Sequence, residues 1–225
     1  DMTNRIQKFV DCRSKDVDER EVFIVEGDSA LGACKQARDA SFQAIMPVRG
    51  KILNCLKSDY DKIFKSEIIT DLIKVLGCGV EVKSKTDADV DGFHIRTLIL
   101  TMIYRLMPKI IEAGKVYIAE SPLYEVTCKD QTYFAYNEKE MDEIKEEIGN
   151  QKYTVQRSKG LGENEAEMMA LTTMNPKTRR LIKVTPDDAQ KTSEMFDLLL
   201  GDNLEGRKEY ISDYGHLYLD AADVS

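Results

Sequence analysis

The chain has 225 residues, 42% of them hydrophobic and 32% charged, with a formal net charge of −8. It can bury the core of one large domain, or of one domain with an appendage. No apolar run reaches the roughly 18 residues of a membrane span, and the amino terminus does not read as a signal peptide, so neither membrane insertion nor export is expected.

Taken in chain order, Glu21 to Val25 (EVFIV) is a short β-branched apolar run ended by Glu26-Gly27-Asp28-Ser29, which predicts a buried strand. Ser29 is a natural cap for a helix through about Asp39. Phe42 to Val48 (FQAIMPV) predicts a second strand. Glu67 to Leu76 is helical in pattern, and Gly77-Cys78-Gly79 stops it. Phe93 to Ala113 is apolar all round, which predicts a helix buried between layers, kinked at Pro108. Val116 to Ala119, Leu123 to Thr127 and Thr132 to Tyr136 read as strands, the last two joined by a turn over Cys128-Lys129-Asp130-Gln131. Asn137 to Ile148 is an acidic helix whose charges form a solvated face. Thr185 caps a further helix with Pro186 at its first position, running to Leu200. Strands alternating with helices in the first half predict an α/β fold with a parallel sheet.

An acidic chain is a poor candidate for binding nucleic acid, because phosphate neutralisation supplies much of the affinity. The exception is a chain whose carboxylates hold divalent cations, which reverse the local field. Asp87-Ala88-Asp89-Val90-Asp91-Gly92 meets that condition. Residues two apart point the same way in extended chain, so three carboxylates can converge, and a cation relieves their repulsion. Magnesium favours such oxygen donors. The same pattern opens a calcium-binding EF-hand loop, but its twelfth position, which needs a bidentate Glu, is Leu98. The bland alternative is a solvated acidic turn. A second signal is Glu26-Gly27-Asp28-Ser29-Ala30. In open parallel sheets ligands gather beyond the carboxyl ends of strands, where Glu26 falls, and the helix start that follows can hold an anion. Its alternative is a capped turn with a surface Glu. Five cysteines (Cys12, Cys34, Cys55, Cys78, Cys128) are scattered without a CxxC pair, so neither a zinc site nor a disulfide framework is indicated, and reduced thiols are expected.

A single Glu at one strand end with a DxD at another resembles the TOPRIM domain of topoisomerases, DnaG-type primases and some nucleases. From residue 12 to 124 the chain more closely resembles the B subunits of bacterial type IIA DNA topoisomerases, gyrase and topoisomerase IV. The matching stretches are DCRSKD (Asp11 to Asp16), EGDSA, QAIMPVRGKILN (Gln43 to Asn54), TDADVDGFHIRTLILT (Thr86 to Thr101) and YIAESPLY (Tyr117 to Tyr124). Farther on, Lys159 to Glu163 is similar to the family's KGLGE, and Thr173-Met174-Asn175-Pro176 to its TTMDP. Three places depart from the family: Leu31-Gly32 after EGDSA, Asn164 to Met169, and Tyr214 to Ser225. None removes a carboxylate.

The resemblance implies a TOPRIM (Rossmann-like) parallel sheet flanked by helices, with a smaller α+β tail. The expected division is a lead-in at 1–19, a metal-binding domain at 20–124 and a tail at 125–225. It implies cleavage of both DNA strands by a tyrosine of a partner A subunit, passage of a second duplex, and religation, in an assembly of two A and two B subunits in the bacterial cytoplasm. Glu26, Asp87, Asp89 and Asp91 would hold Mg2+, with Glu26 also a candidate acid/base. Arg49, Lys51, Asn54 and Lys159 would contact DNA. His94 would orient a carboxylate or touch DNA, or merely begin a helix. ATP would belong to the full-length protein, because nothing here resembles a nucleotide motif. A primase- or nuclease-type enzyme without a tyrosine partner, and a noncatalytic metal-binding module, are the rival readings. Asp1 in place of an initiator Met suggests a fragment. The charged run Val80 to Lys85 stands where the family has an apolar strand. Either a segment is deleted there, or the numbering closes over residues between about Lys83 and Thr86, the latter being the expectation.

Overall fold

The computed structural model describes residues 6, 8–50, 52–53, 55, 58–77, 95–157, 166–188 and 191. The chain forms two compact units, one from residues 1–49 with 117–183 and the other from 50–116 with 184–225. Strands and helices mix in the first unit, the described elements of the second are helices, and the fold class is α/β.

In the first unit, β1 (Glu21–Glu26) pairs in parallel with β2 (Gln43–Val48), Glu21 opposite Gln43 and Glu26 opposite Val48. The crossover between them is α1 (Gly27–Ala37), as parallel strands require. All of β2 is buried, while β1 is mostly half-buried. The reason is local: β2 has a neighbour on both edges, since Val10 bridges Ile45 antiparallel through two 2.9 Å hydrogen bonds. The Ile45 N–H faces that lead-in edge, and by alternation so does position 47. Pro47 therefore removes no bond from the β1 ladder. Val25, Ala30, Cys34 and Ile45 pack with Met169 and Met174 in one core cluster.

Helix α1 begins at Gly27 with Glu26 as its cap residue, and Ser29 lies inside it. The expected cap at Ser29 thus falls too late, within the first turn. Gly27 takes φ +79°, so the chain swings from strand straight into helix without a side-chain cap.

The same unit holds β4 (Tyr124–Cys128), which pairs antiparallel with β5 (Gln131–Ala135) and with β6 (Thr154–Arg157). α6 (Glu138–Ile148) places Met141 and Ile148 in a cluster with Val126, Cys128 and Ala135. β3 (Tyr117–Ala119) pairs antiparallel with β7 (Leu181–Lys183). Between β6 and β7 lie α7 (Ala166–Met169) and a π-helical turn at Ala170–Met174.

The second unit contains α2 (Tyr60–Lys65), α3 (Glu67–Leu76), α4 (Ile95–Leu106) and α5 (Pro108–Glu112). Gly77 ends α3 in the left-handed conformation at φ +65°. The long apolar helix expected at Phe93 to Ala113 is broken at Pro108 rather than kinked. Met107 leaves helical dihedrals and Pro108 starts α5, because a proline has no N–H to continue the ladder. Thr185 and Asp188 cap each other reciprocally: Asp188 N–H donates to Thr185 Oγ1 at 3.3 Å, and Thr185 Oγ1 donates to Asp188 Oδ2 at 2.6 Å. The expected extension of that helix to Leu200 lies outside the described residues. So do His94, the chain path across Lys83 to Thr86, and Tyr214 to Ser225. No helix among the described residues is long and apolar enough to cross a membrane.

Candidate metal centre at the carboxyl end of the parallel strands

Glu26 closes β1, and its side chain is exposed at the carboxyl end of the strand pair. It occupies the cap position of α1 without a side-chain capping bond. No hydrogen bond or ion pair with a described residue engages the carboxylate. An exposed acid on a strand end, unengaged by the described residues, is a fit donor for a hard divalent cation.

Arg49 is the residue after Val48, the register partner of Glu26. It therefore emerges beside the Gly27 turn, and Gly50 at φ +70° turns the chain away directly after it. Its guanidinium Nη2 is paired with Asp28 Oδ1. Lys8 joins the same carboxylate, its Nζ 3.3 Å from Asp28 Oδ1 and 3.1 Å from Oδ2. These three side chains are each about half exposed, at 45% for Arg49, 53% for Asp28 and 47% for Lys8. Asp87, Asp89, Asp91, Lys51, Asn54 and Lys159 lie outside the described residues. Among the described residues no three His, Cys, Asp or Glu side chains gather as a complete metal cage.

Asp28 and Lys8 were not singled out from the sequence. Asp28 stands within EGDSA, where its acidity could equally signal a ligand, but both its oxygens are occupied by cations. Lys8 carries no local signal at all, because only the Val10–Ile45 bridge brings the lead-in alongside β2.

Cys12, Cys34, Cys55 and Cys128 are free and buried. Burial pushes the Cys34 thiol up to about 11 and Cys55 up to about 12, far from thiolate character at neutral pH. A concavity of about 650 Å³ lined by Arg13, Ser14, Glu19, Ser41 and Phe42 sits by the amino end of β2, away from Glu26.

At the opposite end of β1, a network ties the strand to the distant chain. Arg179 grips Glu21 with both terminal nitrogens, Nη1 to Oε2 at 2.6 Å and Nη2 to Oε1 at 2.5 Å. Gln43 Nε2 donates to Glu21 Oε2 at 3.0 Å and to the Met174 carbonyl at 2.8 Å. The register of the strand that ends in Glu26 is thus fixed at its start by charged partners.

Residues 21–121 match the Toprim domain family, and residues 150–212 match the family described as DNA gyrase B subunit, carboxyl terminus. Among curated proteins, the DNA gyrase B subunit of Thermotoga maritima is 45% identical over 216 residues, covering 91% of this chain and 34% of the relative. The DNA gyrase B subunits of Clostridium acetobutylicum and Staphylococcus aureus are also 45% identical, each covering 92% of this chain and 34% of the relative. The chain spans about a third of the length of the curated relatives it matches. The chain thus carries a Toprim domain that includes the strand-end glutamate and a DNA gyrase B carboxyl-terminal domain, and over 91% of its own length it is similar, at 45% identity, to a DNA gyrase B subunit.

Proposed function

We propose that this chain is the metal-bearing part of a type II DNA topoisomerase B subunit. In that reading both strands of one duplex are cut by the tyrosine of a partner A subunit, a second duplex passes through, and the break is resealed. The observation that carries it is the placement of Glu26: an exposed carboxylate, unengaged by described neighbours, at the carboxyl end of a parallel strand pair within the Toprim match. The lead-in, metal-binding and tail division at residues 20 and 125 belongs to the same reading.

Glu26, Asp87, Asp89 and Asp91 would hold Mg2+. When bound, the ion supplies positive charge against the scissile phosphate and the departing 3′-oxygen. Glu26 is also the candidate acid/base: when protonated and not holding a cation, it would give its proton to the leaving 3′-oxygen on cleavage and take one back on religation. Arg49, Lys51, Asn54 and Lys159 hold the duplex by its phosphates and edges. None of the chain's ten tyrosines is needed as nucleophile. ATP would be handled by the part of the protein that the relatives have beyond this chain. The carboxyl-terminal match at 150–212 favours this reading over a primase- or nuclease-type enzyme that works without a tyrosine partner.

The test is DNA cleavage by the full-length protein with and without its A partner, in magnesium and in chelator. Cleavage should need both partner and metal, and Glu26→Gln or Asp87→Ala should abolish it with the fold intact by circular dichroism. Cleavage without the A partner would support the nuclease reading instead, and normal rates in either variant would remove the metal assignment.

A further inference from the structure

Three cationic and anionic groups from separate segments meet beside Glu26: Lys8 from the lead-in, Asp28 from the first turn of α1, and Arg49 directly after β2. Stability does not account for the cluster. Half-exposed pairs of this kind contribute only about 0–1 kcal/mol, whereas placing Lys8 costs a backbone at φ +64°, a left-handed conformation unfavourable by roughly 1–2 kcal/mol for a non-glycine residue. The lead-in takes that turn two residues before Val10, opposite the stretch where Pro47 offers no N–H to extend the bridge. The result is an ammonium carried to the carboxyl end of β2, where nothing in the core requires it.

Asp28 uses both oxygens on these two cations, so it is not available as a ligand for a metal held by Glu26. The charges sum to +1, since two cations share one carboxylate. Each cation keeps hydrogen-bond donors beyond those spent on Asp28. A guanidinium and an ammonium fixed side by side with spare donors suit a phosphate oxygen better than a second carboxylate already balanced by its own hydrogen bonds.

We propose that Asp28 is a positioning residue, holding Lys8 and Arg49 together as a paired cation that grips a DNA phosphodiester beside Glu26. This rests on the reading of the chain as part of a DNA-cleaving enzyme. It adds Lys8 to the DNA-facing groups and gives the acid of EGDSA a role distinct from metal binding.

The sign of the effect separates this role from simple electrostatics. Removing an acid near DNA should by charge alone tighten binding. Removing a positioning acid should loosen it, because the two cations scatter. The experiment measures binding of the full-length protein to a duplex oligonucleotide in chelator, so that metal takes no part, across a range of salt. Asp28→Ala should bind more weakly than the parent, with the slope of log affinity against log salt reduced in size by about one to two. Asp28→Glu should restore both. In a Lys8→Ala/Arg49→Ala background, Asp28→Ala should cause no further weakening, whereas a general structural defect would weaken binding in either background. Tighter or unchanged binding by Asp28→Ala, with an unchanged slope, would overturn the positioning role alone. Absence of salt-dependent duplex binding by the parent protein would overturn the DNA reading itself, and this proposal with it.

Discussion

Glu21 and Glu26 bracket one strand, and they are treated in opposite ways. Glu26 is left open to solvent, while Glu21 is half-buried and held by Arg179 and Gln43. Burial by itself pushes the Glu21 carboxyl up, but the hydrogen bonds from Arg179 and Gln43 and the Arg179 charge outweigh it, so the group titrates below its ordinary 4.5. A carboxyl depressed on folding stabilises the protein above its unfolded value and loses that contribution as pH falls through the folded one. Arg179→Ala strands the half-buried carboxylate, and should cost about 1–3 kcal/mol at neutral pH. The gap between variant and parent should narrow as pH falls below about 4.5. Urea denaturation at several pH values measures both, and a gap independent of pH would refute the pairing. In the sequence Glu26 was legible, because an apolar run ending in Glu-Gly fixes a strand end. The bonds of Glu21 and the ion pairs of Asp28 were not, because their partners lie far along the chain.

Elements with a strong local signature were equally plain. β2 is a continuous apolar run, α3 ends at a left-handed glycine, and α6 starts at an Asn. Asn137 accepts a 2.9 Å hydrogen bond from the Glu140 N–H, and the Glu140 carboxylate accepts one from the Tyr136 N–H at 3.1 Å. Asn137→Ala should therefore cost about 1 kcal/mol, read as a lower unfolding midpoint, while Asn137→Ser should recover most of it. An unchanged midpoint in the alanine variant would mean the cap does not stabilise α6. β6 and β7 escaped notice because both are short and exposed along their whole length, so neither shows an apolar alternation. α2 has six residues, too few for a periodic stripe, and the π-helical turn at Ala170–Met174 has no compositional mark. The break at Pro108 was visible, but its form was not. Whether a proline kinks or splits a helix depends on what the surrounding chain offers the freed carbonyls, and that is a tertiary matter.

The chain spans about a third of the length of the curated relatives it matches, and the proposed reading divides the labour between it and a partner. The full-length protein should assemble with its partner as two copies of each, following the two-fold symmetry of a staggered double-strand cut. Trapped cleavage complexes, digested and mapped by mass spectrometry, should carry DNA on a partner tyrosine; attachment to a tyrosine of this chain would refute that division. Within the chain, the first unit is assembled from two stretches separated by residues 50–116. Glu21 waits for a partner 158 residues later, and Gln43 for a carbonyl 131 residues later. At roughly 5–20 residues per second, synthesis delays the first of these contacts by about 8–30 s. For that interval Val25, Ala30, Cys34 and Ile45 have been made, but the Met169 and Met174 that complete their cluster have not. Closing so long a loop adds little to the equilibrium cost, because loop entropy grows only logarithmically, but non-local contacts slow folding markedly. A nascent chain halted before residue 169 would thus present an uncovered sticky face to its ribosome's surroundings, and the parallel strand pair is where a holdase would find its purchase.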